Sequence, residues 1–135
     1  MAENKEVFNI EIISPDELFY TGQITFVEFT TVEGEVGIYK NHIPTTTILE
    51  PCVLTFYNEK ESRKCAIMGG FVEIQKEKIT ILAEDAQWPE EIDVERAEKS
   101  AQRAQDRIEK KVANLDLGRA ETALKRAMAR INTTK

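Results

Sequence analysis

The sequence predicts an α+β protein, an N-terminal antiparallel β-sandwich or flattened barrel followed by a C-terminal antiparallel two-helix hairpin. Three observations predict it. All ten aromatic residues, from Phe8 to Trp88, all four prolines and five of the six glycines lie at or before Pro89. Up to that point short runs rich in β-branched and aromatic residues recur between turn signals, without helical spacing between them. Beyond it, alanines and arginines recur at helical spacing.

The boundary is the stretch from Gln87 to Arg96. Pro89 cannot donate to a strand ladder and disfavours helix in the residue before it. Asp93 offers a side-chain oxygen to the free N–H groups of a first helical turn, and Glu95 adds favourable charge there. Residues 1–86 are therefore expected to form the sandwich and residues 87–135 the hairpin. The first part is long enough for its own core; the second is not.

Phe8, Ile10 and Ile12 alternate with Asn9 and Glu11, giving a first strand with one dry face. Ser14-Pro15-Asp16 turns the chain into Leu18 to Tyr20. After Thr21-Gly22, β-branched and aromatic residues dominate from Ile24 to Thr31, enough for two strands. From Val32 to Pro44 the rhythm breaks into a loop with a short strand inside, shaped by Gly34, Gly37 and Pro44. Val53 to Tyr57 and Cys65 to Met68 read as hairpin arms around Asn58 to Ser62. Gly69-Gly70 leads into Phe71 to Gln75, and Lys76-Glu77 turns into Ile79 to Leu82. The helices are expected over Asp93 to Ala113 and Leu117 to Asn132, with Asn114 to Gly118 around the turn and Asp116 as a cap. Ala97, Ala101, Ala104, Ile108 and Val112 form one seam, and Ala120, Leu124, Ala127 and Ile131 the other. Such narrow seams bury little, so the pairing should be marginal on its own and able to open.

Charge divides at the same boundary. The net charge of −6 combines an acidic body, with 7 basic against 16 acidic residues up to Glu90, and a C-terminal part with 11 against 8. From Arg119 onward there are five basic residues and one acidic. A basic tip of this kind seeks an acidic surface or a phosphate. Nucleic acid is disfavoured, because the body repels it and the tail has no aromatic residue to stack on bases. No apolar run approaches the roughly 18 to 20 residues needed to span a bilayer, and Met1 to Lys5 does not begin like a secretory signal. The expectation is a soluble, cytoplasmic protein without direct membrane insertion. A symmetric hairpin would set Cys65 opposite about Phe56 rather than Cys52, so two buried free thiols are expected. His42 has no partners for a metal or a triad, and packing or a protein contact is its expected part. No convergent nucleophile and base point to catalysis.

Arg96, Arg103 and Arg107 are spaced by seven and four, and Arg119, Arg126 and Arg130 repeat the spacing on the second helix. Two readings stay open. The arginines can form solvated faces lightly paired with Glu98, Asp106 and Glu121, or they can meet around a polyanion, since guanidinium forks match phosphate oxygens.

The chain resembles the epsilon subunit of the bacterial-type rotary proton-translocating ATP synthase over essentially its whole length. Glu33-Gly34-Glu35-Val36-Gly37-Ile38 with His42 and Pro44 is similar to that family's glycine-rich loop. Gly69-Gly70-Phe71-Val72-Glu73-Ile74 is similar to its central strand entry, and Ile79-Thr80-Ile81-Leu82-Ala83 to its last strand. The resemblance implies a ten-stranded sandwich and a non-catalytic rotor subunit on the central stalk, peripheral on the cytoplasmic face of the bacterial cell membrane. It implies that the sandwich binds the gamma subunit, and that Glu33, Gly34, Glu35, Gly37, Ile38, His42 and Pro44 face the membrane-embedded proton-driven ring. It further implies that the hairpin either folds down on the sandwich or extends toward the beta and alpha subunits, where Arg119, Lys125 and Arg126 hinder ATP hydrolysis.

Some members of the family bind ATP, alone or with magnesium, through a motif matched here by Ile92, Asp93, Arg96 and Ala97. The further arginines of that site match Arg103, Arg126 and Arg130. Gln87 stands where ATP-binding members carry an acidic residue. The resemblance thus implies ATP as a regulatory ligand that favours the folded-down, non-inhibitory hairpin, with no obligatory cofactor. The alternative is a free-standing nucleotide-binding or adaptor protein with a helical arm.

Overall fold

In the computed structural model, which describes residues 6–110 and 116–135, the alternation at the N-terminus forms β1 (Phe8–Ser14). Its Phe8, Ile10 and Ile12 point into the core. A tight turn returns the chain as β2 (Glu17–Ile24), which runs through Thr21-Gly22 where a break was expected. The break comes instead at Thr25, before β3 (Phe26–Thr31). Thr31 closes the next turn, its Oγ1 donating to Gly34 O and accepting from Glu33 N. β4 (Gly34–Ile38) is the short strand inside the loop. Gly34, at φ +122°, takes a backbone angle that other residues rarely adopt.

β5 (Thr45–Tyr57) and β6 (Ser62–Ile74) are each 13 residues long and pair along nearly their whole length. Gly69 and Gly70 lie inside β6 with φ of +99° and +127°, and a Cβ on Gly70 would come within 2.0 Å of the Leu82 carbonyl oxygen. The described residues form eight strands rather than the ten that the resemblance implies; β6 runs unbroken past the glycine pair, where the pattern divides it, and β5 starts at Thr45, ahead of the expected Val53. β7 (Lys78–Ala83) and the two-residue β8 (Ala86–Gln87) complete the sheet.

The strand order is β2-β1-β7-β6-β5-β3-β4, with β8 on β6. One pairing corrects the expectation of a wholly antiparallel sheet: β1 and β7 run parallel, from Asn9 with Lys78 to Ile13 with Leu82. Alternation fixes which face a strand buries but not its direction, so the sequence pattern is silent here. Tyr20 of β2 stacks on Phe56 of β5 at 4.7 Å although three strands separate them in the sheet. The sheet therefore folds over on itself as a sandwich around Ile10, Ile12, Ile24, Leu54, Ile67, Ile79 and Ile81. The turn Asn58 to Glu61 sets Cys65 opposite Leu54, two residues from the expected Phe56, and both cysteines are free and buried. Burial pushes the Cys52 thiol up to about 11 and the Cys65 thiol up to about 12.

Gln87 and Trp88 belong to the sandwich, so its edge lies two residues past the expected 86. Gln87 pairs with Ala66, and Trp88 stacks on Phe19 at 4.5 Å with the Arg63 guanidinium 3.9 Å above its ring. A 3₁₀ turn over Pro89–Glu91 leads to α1 (Val94–Lys110) and then α2 (Leu117–Thr133). Both expected caps are present, Asp93 accepting from Arg96 N at 3.0 Å and Asp116 from Arg119 N at 3.1 Å. Ala97 and Ala104 of α1 are buried, as are Ala120 and Ala127 of α2, as the seams require. Val112 and the expected turn residues Asn114 and Leu115 lie outside the described residues. None of the described helices is long and apolar enough to cross a membrane.

Candidate functional site

The hairpin lies on the outer face of β5 and β6, and its seat is small. Strand residues 65–68 are buried on both faces: Cys65 and Ile67 toward the sandwich core, Ala66 and Met68 toward Ile92 and Ala129. Ile92 is thus an anchor that seats the start of the first helix, and its side chain does not line the neighbouring cavity as the motif alone had implied. Around this apolar contact the basic face of α2 meets carboxylates that sequence reasoning did not single out. Lys125 Nζ is 3.3 Å from Glu50, Arg126 Nη2 is 2.9 Å from Glu84, and Arg130 Nη2 is 3.9 Å from Asp85. Lys64 Nζ donates to the main-chain oxygen of Lys135, tying down the end of the chain. The only available signal for these partners was the acidic excess of the first 90 residues, which carries no positions.

Where α1 starts beside the end of α2, a cavity of about 370 Å³ is lined by Gln87, Glu91, Asp93, Arg96, Ala97, Ser100 and Arg130. Five of the eight residues expected at a nucleotide are therefore together. Gln87 is oriented by Arg130, whose Nε donates to its Oε1 at 2.7 Å. Because guanidinium nitrogens only donate, the amide oxygen must face Arg130, leaving the amide nitrogen for other partners. Burial holds the Arg130 guanidinium below its usual value; Asp85 opposes that shift, and the charges of Arg126 and Arg96 add to it. Two guanidiniums, Arg96 and Arg130, thus line the cavity together with two carboxylates, Glu91 and Asp93, each of which already accepts from a backbone N–H.

Arg103 and Arg126 do not line this cavity. Arg103 is exposed and donates to Ser100 Oγ at 3.2 Å, one turn from the cavity wall. Arg126, with Glu84, lines a second cavity of about 540 Å³ between α2 and the strands, next to Met68, Gly69 and Phe71. Its Nε is buried without a partner among the described residues. Glu91 and Ser100 line the first cavity without having been expected there. Of the acids expected beside the arginines, Asp106 accepts instead from Gln102 at 2.9 Å.

Arg119 is exposed at the start of α2, away from the three ion pairs. In the loop between β3 and β5, Glu33, Gly34, Glu35, Gly37 and Pro44 are exposed and His42 partly so. Ile38 is only 3% exposed and belongs to the core, so it supports the loop from beneath and cannot be one of its contact residues. His42 Nδ1 lies 2.7 Å from the Ile43 carbonyl oxygen. Ile43 itself is 77% exposed, an apolar tip beside the residues named from the sequence.

Residues 7–89 match the family described as ATP synthase, Delta/Epsilon chain, beta-sandwich domain, and residues 90–135 match ATP synthase, Delta/Epsilon chain, long alpha-helix domain. The ATP synthase epsilon chain of Caldanaerobacter subterraneus is 37% identical over 127 residues, covering 93% of this chain and 92% of its own length. The epsilon chain of Brevibacillus brevis is 42% identical over 127 residues, covering 93% and 96%. Among solved structures, a chain of the Euglena gracilis mitochondrial ATP synthase superposes with a TM-score of 0.78 at 23% identity, covering 90% of this chain and 78% of its own.

Proposed function

The chain belongs to the ATP synthase delta/epsilon family and is similar along its length to epsilon chains, and we propose that it is a central-stalk subunit whose hairpin is a nucleotide-dependent brake held here in the released position. The sandwich binds the gamma subunit and, through the exposed loop from Glu33 to Pro44, the membrane-embedded ring, so that ring rotation is coupled to ATP synthesis in the catalytic head. The subunit carries no chemistry of its own and sits peripherally on the cytoplasmic face of the membrane. A free-standing adaptor is set aside, because the two family domains together span residues 7–135.

The observation that carries the brake is the double use of α2. Lys125 and Arg126, named from the sequence as inhibitory contacts, are engaged with Glu50 and Glu84 on the subunit's own sandwich. While those pairs hold, the same cations are withheld from an acidic surface on the beta and alpha subunits. Exposed ion pairs contribute only about 0–1 kcal/mol each, so the latch is weak enough to release. ATP, with or without magnesium, holds the hairpin down in its own right by binding Asp93, Arg96 and Arg130 at the cavity with Gln87 beside them, while Arg103 and Arg126 turn toward it from outside its lining. A ligand specific to the closed form contributes about 2.7 kcal/mol at 100 times its dissociation constant, more than any one of the ion pairs.

The test is calorimetry of ATP with the isolated full chain, paired with ATP hydrolysis by the whole complex. Expected are saturable binding that Arg103→Ala and Asp93→Ala both weaken, and hydrolysis that rises with ATP as the brake releases. No binding at millimolar ATP removes the nucleotide from the mechanism but leaves the stalk assignment standing.

A further inference from the structure

Arg126 cannot serve the nucleotide cavity in the position it occupies. Its Nη2 is 2.9 Å from Glu84 Oε2, and both residues line the cavity on the strand side of α2. Arg130, one helical turn further along the same face, lines the first cavity instead. Arg126 Nε is buried without an acceptor among the described residues, so Glu84 satisfies this guanidinium only in part. A group with an unmet donor, a single exposed counter-ion and like charges close by is poised to exchange that counter-ion for a better one.

We propose that Glu84 is a stand-in anion: its carboxylate holds Arg126 in the nucleotide-free closed chain and must give way before that guanidinium turns to a bound polyphosphate. This rests on the nucleotide reading above and adds a residue that sets the affinity without touching the ligand. Phosphate oxygens offer the guanidinium fork more acceptor positions than one carboxylate oxygen does, so the exchange favours the nucleotide. Glu84 therefore acts in two opposed ways, stabilising the closed hairpin when the cavity is empty and competing with ATP when it is available. Glu50 differs. Its partner Lys125 lines neither cavity, so the Glu50 pair only latches.

The difference in sign gives the test. Isothermal calorimetry compares ATP binding to the full chain, to Glu84→Gln and to Glu50→Gln, with circular dichroism confirming that each variant is folded. Glu84 is on the surface, so its amide variant retains the fold. Glu84→Gln is expected to bind ATP about two- to five-fold more tightly, the factor that one exposed ion pair is worth, with the gain shrinking at high salt. Glu50→Gln removes the same charge from the same acidic body and frees no ligand of the cavity, so its affinity is expected to be unchanged or weaker. If the wild-type chain binds ATP and Glu84→Gln binds no more tightly, the stand-in is overturned while the nucleotide reading survives. If both variants tighten equally, general surface charge is the cause and the stand-in is again overturned. No binding to any of the three overturns the nucleotide reading and this inference together.

Discussion

The sandwich and the hairpin bury different kinds of residue, and the difference sets what each can do. The sandwich holds Phe56, Leu54, Val27, Val72 and six isoleucines at or near zero exposure. Each such side chain is worth about 1.5–3 kcal/mol when buried. Among the described residues of the hairpin those buried are Ala97, Ala104, Ala120, Ala127, Ala129 and Thr133, with Ile92 at its root. An alanine offers one methyl group, near the value of about 0.8 kcal/mol for a single CH₂. The first region is a rigid mount. The second is a lever whose seat is shallow enough to leave.

The largest expected effect that separates them is in the core. Ile81→Ala should cost the sandwich about 2–5 kcal/mol, a large part of a small domain's stability, in urea unfolding followed by Trp88 fluorescence. Ala127→Gly should cost about 1 kcal/mol, confined to helical content, without moving the fluorescence transition. Equal effects on both probes would mean that the two regions unfold as one.

Next is alkaline pH, to which the sandwich responds through its two buried thiols. Cys52 and Cys65 are raised from 9.0 to about 11 and about 12. Above pH 9 the unfolded chain releases protons that the folded chain keeps, so the contribution of the thiols is fully present below that value. It is lost as pH rises toward 11–12, at up to about 1.4 kcal/mol per thiol per unit. The slope of stability against pH should flatten in Cys65→Ala, and alkylation at pH 8 should require unfolding.

A smaller effect concerns the edge between the regions. A chain ending after Trp88 should fold cooperatively. One ending at Gln87 loses the stack on Phe19 and the Arg63 contact, and should be less stable by about 0.5–1.5 kcal/mol beyond the area lost.

That edge also shows what was legible in the sequence. The helix starts were legible because a cap is a local event: Asp93 and Asp116 act on N–H groups three residues away. The dry face of β1 was legible from alternation, and β7 from the turn before it. Their parallel pairing was not, since nothing near Ile10 or Ile79 records the direction of a partner about 70 positions away. The same limit applied to the site. Asp93, Arg96, Ala97 and Arg130 could be named from spacing and resemblance, and they converge with Gln87. Glu50, Glu84 and Asp85 could not, because they are ordinary acids in an acidic body until the hairpin settles on them. Ile38 and Ile92 were misread for a related reason: a motif reports that a residue matters, not which way its side chain points.

The smallest expected effect is electrostatic. Glu50→Lys sets like charges at the Lys125 contact and should shift the hairpin toward opening by about 1 kcal/mol or less. Raising the salt concentration should reduce that difference. A spin label on Thr122 paired with one on Thr46 would report the change in distance, and no change would remove Glu50 from the latch.

The most direct test of the shallow seat is native-state hydrogen exchange on the full chain, with and without ATP. Amides of β5, β6 and β7 should exchange only through global unfolding, whereas those of α1 and α2 should exchange through an opening several kcal/mol cheaper. ATP should slow the helices and leave the strands unchanged. Helical amides as protected as those of β6, with no response to ATP, would contradict the picture of a lever on a rigid mount.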